Sequence, residues 1–265
     1  MSVAESPVLL SDAQLEQYQR QGYVVVNDLL SPAEVNGLGE RVREYTHGGR
    51  APGDLRVQVE PRIARGELTV DHPGDGIRKI DGLVEHDDRF QALGVHQNIV
   101  SAIEQIVGPD IKMYRNALLL KPPAVGSPKG MHQDSPYWPI QPMDLCSCWF
   151  ALDDATPENG CMAVLPGWHT HGALQHIHVT DDFVVEPTLY DMQELEMAPV
   201  RAGGGLFFHS LIPHYTAPNT SDRWRRAIAL SYMSARSRWA GKGNEDAFPT
   251  IRGRDFPGCV RGKPL

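Results

Sequence analysis

Met131-His132-Gln133-Asp134 sets an imidazole and a carboxylate two residues apart, and His214 offers a second imidazole eighty residues further on. Two neutral imidazoles and one carboxylate can hold a metal ion by one face and leave the opposite positions open, the ligand set of a non-haem Fe(II) oxygenase. Fe(II) is a borderline ion, so this mixed set suits it better than an all-thiolate or all-oxygen cage. The open positions are where a co-substrate and O2 bind. Arg225 follows His214 by eleven residues. A guanidinium there would hold the far carboxylate of a bound 2-oxo acid, since it grips carboxylates bidentately and stays charged when partly buried.

The short motif is weak by itself. With 11 His and 19 Asp in 265 residues, about one His-x-Asp match is expected by chance. A second copy, His86-Asp87-Asp88, lies in the charged run Val84–Arg89, which reads as a solvated turn. The distal histidine also has rivals. His169, His171, His176 and His178 fall in 167–179, which reads as a loop, and His209 stands close to His214. Period-2 alternation along 206–214, taken as one strand, puts His214 on the face opposite His209. Only His214 precedes the turn Tyr215–Asn219, and a hairpin of that length would return Arg225 to the same mouth. By the same alternation Arg226 points away from Arg225.

The elements that must carry these residues change character along the chain. A helical pattern opens at Ser11-Asp12 and ends at Gly22, followed by the β-branched run Tyr23–Val26. Ser31-Pro32-Ala33-Glu34 is a capping box with Pro at the first helical position. Its helix shows Val35, Leu38, Val42 and Tyr45 on one face. Residues 50–76 carry several Gly and Pro without a sustained period and read as a long excursion over the surface or across a site mouth. Ile99–Val107 is a third amphipathic helix, closed by Gly108-Pro109. From Ile111 onward short apolar or alternating runs take over, at 111–120, 144–152, 161–165, 183–186, 197–200, 205–212 and 226–233, with turn-rich segments between them. Strands at this spacing without long helices predict an antiparallel sandwich or barrel, whose mouth is a natural small-molecule site. One domain over 1–265 is expected: a helical part at 11–110, a β core at 111–235 and a C-terminal tail at 236–265.

Composition narrows the classes. The charged fraction is 22% and the net charge −8, with no basic run to track a phosphate backbone, so nucleic-acid binding is not expected. No apolar run is long enough to span a bilayer. The first residues lack the basic and apolar regions of a signal peptide, and the four cysteines read as free thiols, so a cytoplasmic protein is expected. A Cys-x-Cys zinc site at Cys146 and Cys148 lacks a second pair to complete it. Oligomeric state is not legible.

Several blocks in order resemble the phytanoyl-CoA dioxygenase family of Fe(II)/2-oxoglutarate oxygenases. Lys121-Pro122-Pro123 precedes Met131–Asp134; the block from Trp149 to Cys161 is followed by Leu165–His169; Gly205–Ser210, His214–Asn219 and Arg225-Arg226-Ala227 close the set. The similarity covers roughly residues 11–235. It implies a mainly β fold, a double-stranded β-helix (jelly roll) with flanking N-terminal helices. It also implies that His132, Asp134 and His214 ligate iron and that Arg225, assisted by Thr216, binds the 5-carboxylate of 2-oxoglutarate. Trp149 matches an aromatic lining the co-substrate, and Lys79 a lysine that contacts it in some members. Trp168 stands where the family usually has Ser.

The expected activity is hydroxylation of a small organic molecule with release of succinate and CO2. Asp134 argues against halogenation, because halogenating relatives replace that carboxylate with a small residue. Tyr137, Trp138 and Trp168 are candidate substrate-pocket aromatics, with 50–76 as a lid that excludes water. Two other classes compete. A non-catalytic cupin-like binding protein would not need the full ligand triad with its arginine. A two-His, one-carboxylate zinc hydrolase would leave Arg225 and the Trp149 block without a role. An acyl-CoA substrate would need a compact basic patch for its phosphates, and none is evident.

Overall fold

The structure, a computed structural model, describes residues 7–242 and 245–265. Two antiparallel sheets face each other as in a jelly roll. The larger runs Arg56–Val59, Ile77–Asp81, Ile111–Lys121, Arg225–Ser234, Cys146–Ala151, Gly205–His209 and Tyr23–Val26. The smaller is Glu196–Ala198, Met162–Val164, His214–Thr216 and Lys129–His132.

The central strands of the larger sheet are covered on both faces, which is why they read as near-continuous apolar runs. Along Cys146–Ala151 the alternation is visible in the packing. Cys146, Cys148 and Phe150 join the core against the helices, whereas Trp149 and Ala151 join the core between the sheets. Arg225–Ser234 repeats the pattern, with Ile228, Leu230 and Tyr232 toward the helices and Ala227 toward the smaller sheet. The helix core is supplied by Asp12–Gln21, Pro32–Thr46, Asp88–Gly94 and Gln97–Val107. Both N-terminal helices start in full capping boxes, at Ser11/Gln14 and Ser31/Glu34. Gly22 closes the first in the left-handed region (φ 81°), placing the following strand beside Gly205–His209.

Several expectations are corrected. Segment 50–76 is not periodless: Arg56–Val59 pairs with Ile77–Asp81, and short helical turns at Pro61–Ala64 and Pro73–Gly76 follow. The run around His86 is not a solvated turn. Asp87 is buried, caps helix Asp88–Gly94 through Arg89 N and Phe90 N, and pairs with Arg41 at 2.5 Å. Within 167–179, His176–Val179 is a strand paired with Asp182–Val185. Residues 206–214 are not one strand. The first ends at His209, the chain crosses between sheets, and His214 opens a strand of the smaller one. The passage from His214 to Arg225 is therefore a crossing between sheets and not a hairpin. The tail is built into the fold, with Phe248–Arg252 pairing on Ile111–Lys112 and Asp255 meeting the buried Lys112 ammonium at 2.5 Å. Among the described residues no helix is long and apolar enough to cross a membrane.

Candidate active site

His132 ends one strand of the smaller sheet and His214 begins its neighbour, and the two are direct cross-strand partners. Their ring centroids lie 4.0 Å apart. Asp134 sits on the turn after His132, held by Asp134 N and Ser135 N, each donating to Ser210 O at 3.0 Å, and by a 2.6 Å hydroxyl contact from Ser135 to Ser210. One ligand atom from each of His132, Asp134 and His214 lies within 4.8 Å of the others.

The donor set fits a divalent ion. Nδ1 of His132 donates to Gly130 O at 2.8 Å and Nδ1 of His214 to Ile212 O at 3.1 Å. Each bond fixes the tautomer and leaves Nε2 as the coordinating lone pair, the usual outer-shell arrangement of metal-binding histidine. Burial, with neighbouring cationic groups, holds His132 well below the ordinary histidine range, and burial lowers His214 too. Neutral imidazole is the form a metal requires. His209 is excluded from the centre: its Nδ1 accepts from Leu211 N at 3.0 Å, its ring lies against His169, and burial pushes it down to about 4.

A cavity of about 360 Å³ opens on the triad, lined by His132, Asp134, His214, Trp149, Thr216 and Arg225 among others. Arg225 is 3% exposed. Its Nη1 donates to Leu119 O at 3.3 Å, its guanidinium stands 5.2 Å over the Trp149 ring, and its Nε has no partner. Burial draws it down to about 10. A buried guanidinium without a bonded carboxylate is costly unless an anion joins it. Arg226, one residue on, faces the other way and is spent on Asp153, with Nε and Nη2 contacts of 2.8 and 2.6 Å.

Sequence reasoning missed three positioning groups. Gln133, between the ligands, is fully buried; its Nε2 donates to Gly172 O and Leu211 O and its Oε1 accepts from Leu174 N. His176 Nε2 accepts from Gln133 N at 3.2 Å, so it braces the turn between His132 and Asp134. Lys121, the cross-strand partner of Arg225, is buried and donates to Ser127 O and Ala217 O at 2.6 Å each, tying together the loops around Thr216. Burial beside Arg225 pushes the Lys121 ammonium down to about 6. The motif Lys121-Pro122-Pro123 was the available signal for it. The other two depend on a strand and loops that carry no clear periodicity.

The remaining candidates divide. Lys79 lines the cavity, but its ammonium is held by Asp81 at 2.8 Å, away from Arg225. Tyr137 lines the mouth, with its ring edge-on to His132 and its hydroxyl donating to Phe183 O. Trp138 lines the cavity, and its ring centroid lies 4.7 Å from that of Tyr114 in a core cluster. Trp168 is not a pocket residue. It rests on the cluster of Met131, Leu165 and Val185, with its ring edge-on to His171, because the short helical turn Trp168–His171 carries it outside the sheet pair. Gln58, Val59 and Pro61 do line the mouth, so part of the 50–76 segment stands where a cover would.

A jelly roll that brings two histidines and one carboxylate to its mouth, with a buried, carboxylate-free arginine beside them, defines the class of Fe(II)/2-oxoglutarate-dependent oxygenases. The family profile described as Phytanoyl-CoA dioxygenase (PhyH) matches residues 18–227, and the chain belongs to that family. It is 27% identical over 238 residues to the peroxisomal phytanoyl-CoA dioxygenase of Homo sapiens, covering 86% of this chain and 69% of that one. It is 28% identical over 225 residues to a methylphosphonate hydroxylase of Gimesia maris, covering 84% and 80%. Among solved structures, the non-heme monooxygenase ThoJ superposes with a TM-score of 0.75 at 23% identity, covering 94% of this chain and 87% of that one. EctD from S. alaskensis superposes with 0.73 at 19% identity, covering 97% and 88%. These last two show the shared fold.

Proposed function

We propose that this oxygenase hydroxylates a compact organic molecule, consuming 2-oxoglutarate and O2 and releasing succinate and CO2. Bound at His132, Asp134 and His214, iron supplies the dioxygen chemistry that couples oxidative decarboxylation of 2-oxoglutarate to insertion of one oxygen atom into a C–H bond. The protein contributes binding, orientation and exclusion of water. Arg225 takes the 5-carboxylate of the co-substrate, Thr216 adds a hydroxyl to the same carboxylate, and the Trp149 ring walls the co-substrate in. Lys79 reaches the co-substrate only by leaving Asp81. Tyr137 and Trp138 face the substrate, and the mouth residues Gln58 and Val59 form the lid. The retained Asp134 favours hydroxylation over halogenation. A cavity of about 360 Å³ that must also hold 2-oxoglutarate favours a compact substrate over a long acyl chain. Four free cysteines support a reducing compartment such as the cytoplasm.

The observation that carries this reading is Arg225, buried next to the triad with an unpartnered Nε. Leaving the co-substrate carboxylate without its buried partner costs roughly 3–5 kcal/mol. Arg225→Ala is therefore expected to raise the 2-oxoglutarate concentration needed for half-maximal succinate release by more than about a hundredfold. An unchanged requirement in the iron-loaded variant would defeat the assignment.

A further inference from the structure

We propose that the substrate of this oxygenase carries an oxyanion, a carboxylate or a phosphonate, and that Arg115 binds it at the end of the cavity away from Arg225. The inference rests on the reading above, in which Arg225 belongs to the co-substrate.

The register separates the two arginines. Arg225 pairs with Lys121 across strands, and Arg115 lies six residues back along that same strand, opposite Ser231. At about 3.3 Å per residue the two strand positions are about 20 Å apart. Asp81, which anchors the Arg115 guanidinium, is opposite Ala117, two residues or about 7 Å from Leu119, whose carbonyl Arg225 Nη1 reaches. On the reading above, the two carboxylates of the five-carbon co-substrate go to Arg225 and to the triad, which leaves none for Arg115. The charged neighbours differ as well. Arg225 feels Asp153, Glu60 and Arg78, whereas Lys79 feels Arg115, Asp81 and Arg56.

The far group is short of negative charge. Asp81 is buried and is shared between Lys79 at 2.8 Å and Arg115 at 3.4 Å. The nearer contact goes to Lys79, so Arg115 keeps one long contact while lining the cavity with a side chain 36% exposed. Two cations on one carboxylate leave a positive charge facing the cavity in a chain whose net charge is −8. A guanidinium in that position matches the paired oxygens of a carboxylate or phosphonate. The Ser231 hydroxyl, 2.8 Å from Ser147 Oγ, lies on the same row of the sheet and adds a further polar group.

The test uses binding, read by the fluorescence of Trp138 and Trp149, on protein loaded with Zn(II) and saturated with 2-oxoglutarate. Butyrate and methylphosphonate are compared with neutral butyramide, in the native protein and in Arg115→Gln and Arg115→Lys. Both anions are expected to bind at least about tenfold more tightly than butyramide, a gap that Arg115→Gln closes and Arg115→Lys keeps only in part, since an ammonium retains the charge but not the paired donors. Circular dichroism confirms that the variants are folded. The proposal is overturned if butyramide matches the anions in the native protein, if neither anion binds, or if Arg115→Gln keeps the anion preference. If butyrate alone shows the preference, the site reads planar carboxylates; if methylphosphonate alone, it reads tetrahedral phosphonates, and either result upholds it. A protein that fails to bind 2-oxoglutarate before any probe is added removes the oxygenase reading, and this proposal with it.

Discussion

Neutral imidazole is the recurring requirement at the residue scale. His132, His214 and His209 are all held below the ordinary histidine range by burial, His209 at about 4. In the unfolded chain each would titrate near 6.5. Below that pH the unfolded state takes up protons that the folded state refuses, so the stability these residues preserve is full above pH 6.5 and is lost as pH falls toward 4. The urea midpoint of metal-free protein should therefore drop between pH 7 and pH 5, a window in which ordinary carboxylates remain ionised. A flat midpoint there would show that these rings are protonated in the fold. Metal affinity should weaken in the same direction. That His132, Asp134, His214 and Arg225 line one cavity was legible because their chemistry is specific and their spacing ordered. Alternation along one strand, with the turn and Arg225 that follow, favours His214 over His209, yet the chain breaks that strand after His209. The structure still brings His214 beside His132, by a crossing between sheets and not by alternation along one strand. Trp168 was misread because an unusual residue in a motif says nothing about which way its helical turn carries it.

At the scale of elements, the caps, Gly22 and the large-sheet strands could be read because local chemistry and tertiary packing agree there. What escaped were elements supported chiefly by partners distant in sequence. Arg56–Val59 is exposed along its whole length, and its place comes from Ile77–Asp81. His176–Val179 depends on Asp182–Val185 in the same way. Alternation within the central strand also decides thiol chemistry. Cys146 and Cys148 face the helix core, Cys161 lies between the sheets, and burial pushes all three thiols up, Cys146 to about 12 and Cys161 to about 11. Only Cys259 is partly open. A thiolate-directed reagent at pH 8 should modify one cysteine in the folded protein and four in denaturant. Rapid reaction of two or more in the native state would contradict the packing.

For the whole molecule, the site is divided between the two layers of the sandwich. His132, Asp134 and His214 belong to the smaller sheet and the turn that follows one of its strands, whereas Arg225 and Trp149 stand on the larger. On the proposed assignment, a molecule gripped by the metal at one end and by Arg225 at the other would be a strut bolted across a gap between two plates. Its bound energy resists their separation, so loading should register as rigidity far beyond the atoms touched. Backbone amides of Lys129–His132 and His214–Thr216 should exchange hydrogen for deuterium most slowly when metal and 2-oxoglutarate are both present. Either one alone should slow them less than half as much, because a strut fastened at a single end bears no load. Equal protection from metal alone would mean that the plates are already locked. The resting protein would then be a finished vise, and the co-substrate no more than a tenant in it.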